Sequence, residues 1–224
     1  MNKLQIVDWE LISYAEAYEK QKDLFEKNIQ NKVDKKPTEN TLILCEHPHV
    51  ITIGKNGLAS NLLFPQEILK ERNVELFQVD RGGDITYHGP GQIVGYPIFD
   101  LETFNIGLKD YIHRMEEIII RLLKEYGIVS ERLEGATGVW LDSGIPGKAR
   151  KICAMGVRSS RFVTMHGFAL NINTDLSYFG LINPCGFKDK GVTSLEKELG
   201  KKTDIKDIKE RLSTLFIEIF FQNS

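Results

Sequence analysis

The sequence predicts an α+β fold: a mixed, largely antiparallel sheet with helices packed against it. Strand-like runs outnumber helical ones and mostly arrive in succession, which is the order of such a fold and not of a doubly wound one. The clearest helical segments are amphipathic and need an apolar surface to cover. Neither a GxGxxG nor a GxxxxGK[ST] phosphate loop occurs. A chain of 224 residues supports one sizeable core, whereas two very small domains would each bury too little apolar surface, so residues 1–224 are expected to form a single domain.

Tyr14, Ala15, Tyr18, Phe25 and Ile29 recur at helical spacing, so a first helix is expected to end before the polar stretch 31–40. Short β-branched runs follow at TLILC, VITI and VELFQV, and then ITYH and IVGYPIF flank a glycine-rich turn. Residues 108–126 carry Tyr111, Met115, Ile118, Leu122 and Tyr126 on one stripe with charges opposite, the pattern of a helix lying on a sheet. Strands are expected at 128–132, GVWL, KICAMGV and FVTMHGFALNI, with the turn-rich DSGIPGKAR closing a hairpin between the second and third. Thr193 followed by Glu196 reads as a capping box, and Ile205, Ile208, Leu212, Leu215 and Ile219 mark the last helix.

Composition narrows the function. With 29 basic and 31 acidic residues the formal charge is −2, which offers no basic excess for a phosphate backbone, so nucleic acid is not expected as a partner. No apolar run reaches signal-peptide or membrane-spanning length, and a cytoplasmic protein is expected. Three widely spaced cysteines, Cys45, Cys153 and Cys185, suit a reducing compartment and leave thiols available for chemistry.

Chemistry concentrates in three segments. In RGGDITYHGPGQ, residues 81–92, four glycines and a proline surround a short strand ending in His88. Glycines there mean either a tight turn or a backbone that closely approaches a ligand. Lys151 opens an otherwise apolar strand, where a lysine either snorkels to solvent or sits partly buried with a lowered pKa. Cys185 lies between Pro184 and Gly186, a turn-prone setting that favours an exposed, reactive thiol over a core filler. Such a thiol needs a positive neighbour or a base, and Lys151 and His88 are the candidates. The CEHPH run at 45–49 matches no standard zinc spacing and reads as a strand end and turn, so no metal is expected.

Taken together, EHPHVITIG, RGGDITYHGPGQ, KICAMGVR, HGFALNIN and INPCG, in that order over most of the chain, resemble the lipoyl(octanoyl) transferase family. The resemblance implies a fold shared with the catalytic domains of biotin and lipoate protein ligases. It implies an octanoyl group moved from octanoyl acyl carrier protein to a lysine of lipoyl domains, those of 2-oxoacid dehydrogenase E2 subunits and of the glycine cleavage H protein, through a cysteine thioester. No cofactor is implied, because a thioester is already activated. The implied catalytic residues are Cys185 and Lys151. The implied acyl pocket is Arg81, Gly82, Gly83, Asp84, Ile85, Thr86, Tyr87 and His88, with Ala154, Met155 and Gly156, and with Gly167, Phe168 and Ala169. Two departures from the family pattern stand out: His49 occupies a position that is commonly proline, and a longer insert introduces Lys148 just before Lys151.

Overall fold

A computed structural model describes residues 3–183 and 190–222. Its larger sheet runs in the order β1 (Leu4–Leu11), β2 (Asn40–Glu46), β6 (Gln92–Ile98), β10 (Val163–Asn171), β9 (Arg150–Ser160), β8 (Ala136–Leu141), β7 (Glu131–Leu133). A short strand, β11 (Gly191–Val192), adds in parallel to β9 at Arg150 and Lys151. The smaller sheet is β4 (Glu75–Gln78), β3 (Val50–Ile53), β5 (Ile85–His88). Apart from β1 on β2, β11 on β9 and β3 on β4, neighbours are antiparallel, as the succession of strand-like runs leads one to expect.

Alternation along the central strands divides two buried faces. Leu42, Leu44, Phe168 and Leu170 point to the core beneath α3 (Leu108–Glu125) and α5 (Ile205–Phe220), which supply Tyr111, Met115, Ile119, Leu212 and Phe216. Ile43, Cys45, Val94, Tyr96 and Ala169 point the other way, toward Ala17 and Phe25 of α1 (Tyr14–Val33). Strands covered on both faces read as continuous apolar runs, which explains TLILC and FALNI. The small sheet has its own core, where Ile51, Ile85 and Tyr87 meet Leu69 of α2 (Gln66–Glu71) and Leu181.

The structure departs from the sequence reading at four places. Helix α1 continues to Val33, because the Lys32 ammonium reaches Asp100 (2.6 Å) and Glu102 (2.8 Å) and so anchors the last turn. The strand expected at 128–132 is confined to Glu131–Leu133, and Val129 is exposed. The short helix α4 (Leu195–Leu199) is capped by Ser194, whose hydroxyl accepts from Lys197 N, and not by Thr193. Thr193 is still held by the sheet, its N–H donating to Lys151 O at 3.0 Å, so the chain turns helical one residue later. Finally, β1 and α2 are elements for which no expectation was formed.

Candidate active site

The glycine-rich turn after β4 reaches across to the large sheet. Gly82 N–H donates to Val157 O on β9 at 2.9 Å, and a Cβ on Gly156 would sit 2.6 Å from Gly82 O. Gly83 has φ +88°, which favours glycine. The tight-turn reading of the glycines therefore holds, and the close approach seen is of one backbone to another. Arg81 folds into the same corner, its guanidinium donating to Thr52 O (2.8 Å), Thr52 Oγ1 (2.9 Å) and Gly82 O (3.1 Å).

Between this turn and the large sheet lies a cavity. Arg81, Gly83, Asp84, Ile85, Thr86 and His88 form one wall. Ala154, Met155 and Gly156 of β9 and Gly167, Phe168 and Ala169 of β10 form the floor. The register pairs these two triplets residue by residue, from Ala154 opposite Ala169 to Gly156 opposite Gly167. Gly82 and Tyr87 are not among the lining residues. Tyr87 shares the small-sheet core with Ile51 and Leu181, and its hydroxyl meets His49 Nδ1 at 2.7 Å. Strand alternation sends it to the opposite face from Thr86 and His88.

Lys151 reaches the cavity through a local irregularity. Val139 pairs with Cys153 and Trp140 with Lys151, which leaves Ile152 without a partner on β8. This bulge flips the alternation. Ile152 and Cys153 both turn to the helix-covered core, and Lys151 lies on the cavity wall with Trp140 and Ala154. Its ammonium donates to Thr137 O at 3.1 Å and stands 4.6 Å from the centroid of the Trp140 ring. Lys148 is exposed in the preceding turn.

Cys185 falls outside the described residues, which end at Asn183 before it and resume at Lys190 after it. Asn183 N–H donates to Asn61 O at 2.8 Å on one side, while on the other Lys190 lines the cavity and Val192 pairs with Lys151. Cys45 and Cys153 are fully buried, and burial pushes both thiols up. His88 is held neutral: burial, helped by neighbouring His47, pulls it down to about 3. Its Nδ1 meets Gln92 Oε1 at 2.8 Å, and Gln92 spends its Nε2 on Tyr87 O and Asn171 Oδ1, so His88 Nδ1 is the protonated nitrogen. His88 therefore brings no positive charge to this cavity.

His47 and His49 are both committed to protein partners. His47 Nδ1 donates to Ile12 O (2.8 Å) and its Nε2 accepts from Tyr96 Oη (2.7 Å), while His49 bonds Tyr87 and stacks on Tyr178. Among the described residues no group of three or more His, Cys, Asp or Glu is arranged to hold a metal ion.

The lipoyl protein ligase A/B catalytic domain family profile matches residues 19–217. An octanoyltransferase of Parabacteroides distasonis is 61% identical over 220 residues, covering 98% of this chain and 100% of that protein. The chain belongs to the octanoyltransferase family. It is therefore an acyltransferase. Its fold is that of the ligases: a bi-partite lipoate protein ligase from Thermoplasma acidophilum superposes with a TM-score of 0.72 at 15% identity, covering 98% of this chain and 84% of that one. Biotin protein ligase from Aquifex aeolicus gives 0.52 at 15% identity, covering 98% and 70%. In this octanoyltransferase-family chain, Tyr14, Val94, Tyr96, Trp140, Phe179 and Lys190 also line the cavity, and sequence reasoning missed them all as site residues. Trp140 had a usable signal, since its strand is the hairpin partner of the lysine strand.

Proposed function

We propose that the chain transfers an octanoyl group from octanoyl acyl carrier protein to a lysine of lipoyl domains through a thioester on Cys185, the first step of protein lipoylation from endogenous octanoate. The observation that carries this reading is the position of Lys151. Its side chain lines the cavity that Lys190 also lines, and its backbone pairs with Val192 of β11, seven residues after Cys185 in the chain. That location suits a cation that stabilises a Cys185 thiolate.

In the first step the Cys185 thiolate attacks the carbonyl carbon of the donor thioester, and the carrier leaves as a thiolate that takes its proton from the Lys151 ammonium, which leaves that side chain neutral. In the second, the acceptor amine attacks the new thioester, Cys185 leaves as a thiolate, and the amine's proton passes to Lys151 when that side chain is neutral. Two features favour an acyl tail in the cavity: its lining is mainly apolar or backbone, and the row Ala154, Ala169 and Val94 across three strands is of small side chains that leave room. The acceptors favoured are lipoyl domains of 2-oxoacid dehydrogenase E2 subunits and of the glycine cleavage H protein. The T. acidophilum ligase was studied with its own E2 lipoyl domain, which supports an acceptor of that kind.

Intact mass spectrometry after mixing the chain with octanoyl acyl carrier protein tests the covalent step. One octanoyl adduct on Cys185, discharged by a lipoyl domain without ATP, is the expected result. Turnover without an adduct, an unchanged rate for Cys185→Ser, or a requirement for ATP with free octanoate would each overturn it. The last result would point to the ligase chemistry of the fold relatives.

A further inference from the structure

We propose that Trp140 is a positioning residue for this transfer: its indole face holds the Lys151 ammonium charged and in place on the cavity wall. The proposal rests on the Cys185–Lys151 reading above and deepens it.

Four observations converge. The Trp140 ring is buried and fixed at its polar end, where Nε1 donates to Ala136 O at 2.8 Å. The Lys151 ammonium stands 4.6 Å from the ring centroid, within the range of a cation–π contact, and donates to Thr137 O at 3.1 Å. Both of these contacts favour the protonated lysine. The stem of Lys151 passes over Gly138, where an added Cβ would lie 3.5 Å from Lys151 Cε and would strike Cys153 O. Lastly, the bulge at Ile152 puts Lys151 and Trp140 side by side on the cavity face.

Arg150, next in sequence, turns away to Glu198 and Asp142. Glu116 is committed to Gly138 N–H (3.0 Å) and to Arg132. Lys190 and Asp84 line the same cavity, and the buried Cys153 thiol lies beyond the strand. A second cation in the same cavity would favour loss of the proton from Lys151, and the π face opposes that.

The test reads the pH dependence of Cys185 alkylation by iodoacetamide, followed by peptide mass spectrometry on the full chain. Weakening the ring lets Lys151 lose charge or move, so the thiolate loses its partner and the alkylation midpoint rises. Trp140→Leu is expected to raise it by about one unit, and Trp140→Phe by less. In a Lys151→Met background Trp140→Leu should add nothing. Because Trp140→Leu leaves a hole, a second arm replaces Trp140 with tryptophans of increasing fluorination in a Trp9→Phe background. These are close in shape and weaken the π face stepwise, so the midpoint should climb with each fluorine. A flat series, with Lys151→Met still raising the midpoint, overturns the role of Trp140 and leaves the dyad standing. No shift with Lys151→Met overturns the dyad itself.

Discussion

Asp80 Oδ1 lies 2.9 Å from Nε2 of His166, and the other oxygen of the same carboxylate pairs with Arg158. The contact fastens a backbone in an unusual state, since His166 has φ +62° in the middle of β10. A non-glycine residue pays about 1–2 kcal/mol for that conformation. His166 tolerates it because Asp80 holds its ring and the Gln21 side chain accepts from its backbone N–H at 3.3 Å.

His166→Ala and His166→Gly both remove the Asp80 contact, but only alanine keeps the left-handed cost. The glycine variant should therefore be the more stable of the two by about 1 kcal/mol, or about 2–4 °C in melting temperature for a chain of this size. That is the reverse of the usual order inside a strand. Thermal melts of the two proteins decide the matter, and an alanine variant that melts at the same temperature or higher contradicts the strain.

Acid should destabilise the fold well above the range where carboxylates titrate. Burial lowers His88 to about 3 and His47 to about 4, against about 6.5 in an unfolded chain. Below pH 6.5 the unfolded state takes up protons that the folded state refuses, so stability is fully present above that pH and is lost as pH falls. Each histidine contributes about 2 kcal/mol of loss by pH 5. Denaturant midpoints at pH 7 and pH 5 should differ accordingly, and His47→Gln should remove one share of the difference. Equal midpoints would show that these rings are protonated in the fold.

Tyr87 separates the sequence expectation from the placement in the fold. Its motif suggests an acyl contact, yet its ring stacks on Tyr178 at 5.1 Å and its hydroxyl serves His49. Tyr87→Phe should cost about 1 kcal/mol of stability through the lost hydrogen bond. The KM for the octanoyl donor should stay within about twofold, since no methylene loses burial. A tenfold rise would mean that the ring reaches the acyl chain after all.

What was legible in the sequence was whatever repeats or punctuates. The apolar runs of β2, β6 and β10 announced themselves because both faces are covered, and the glycines of residues 81–92 because a strand resists them. The strand β1 was not legible, for it is an edge strand with Ile6, Val7 and Leu11 exposed and Asp8 and Glu10 among them. The stripe of α1 was misread in detail. Its buried positions are Tyr14, Ala17, Gln21, Phe25 and Asn28, and the two amides are inside because Gln21 bonds His166 N and Asn28 bonds Glu39. The cavity itself joins segments whose order along the chain says nothing of register, and the bulge at Ile152 that turns Lys151 toward it is one unpaired residue in an unbroken apolar run.

Chain length should be read at Ala169, which faces the cavity between Ala154 on β9 and Val94 on β6. Each methylene kept out of water contributes about 0.8 kcal/mol, or about fourfold in kcat/KM, so the unaltered chain should favour octanoyl over hexanoyl, two methylenes shorter, by about fifteenfold. Ala169→Leu adds three carbons to the floor and takes space from the tail. Its kcat/KM should fall most for octanoyl, less for hexanoyl and least for butanoyl, so that the preference flattens or inverts, with Ala169→Val intermediate. Acyl carriers of the three lengths, assayed side by side, measure this. A uniform loss across lengths would indicate a distorted sheet and would remove Ala169 as the gauge.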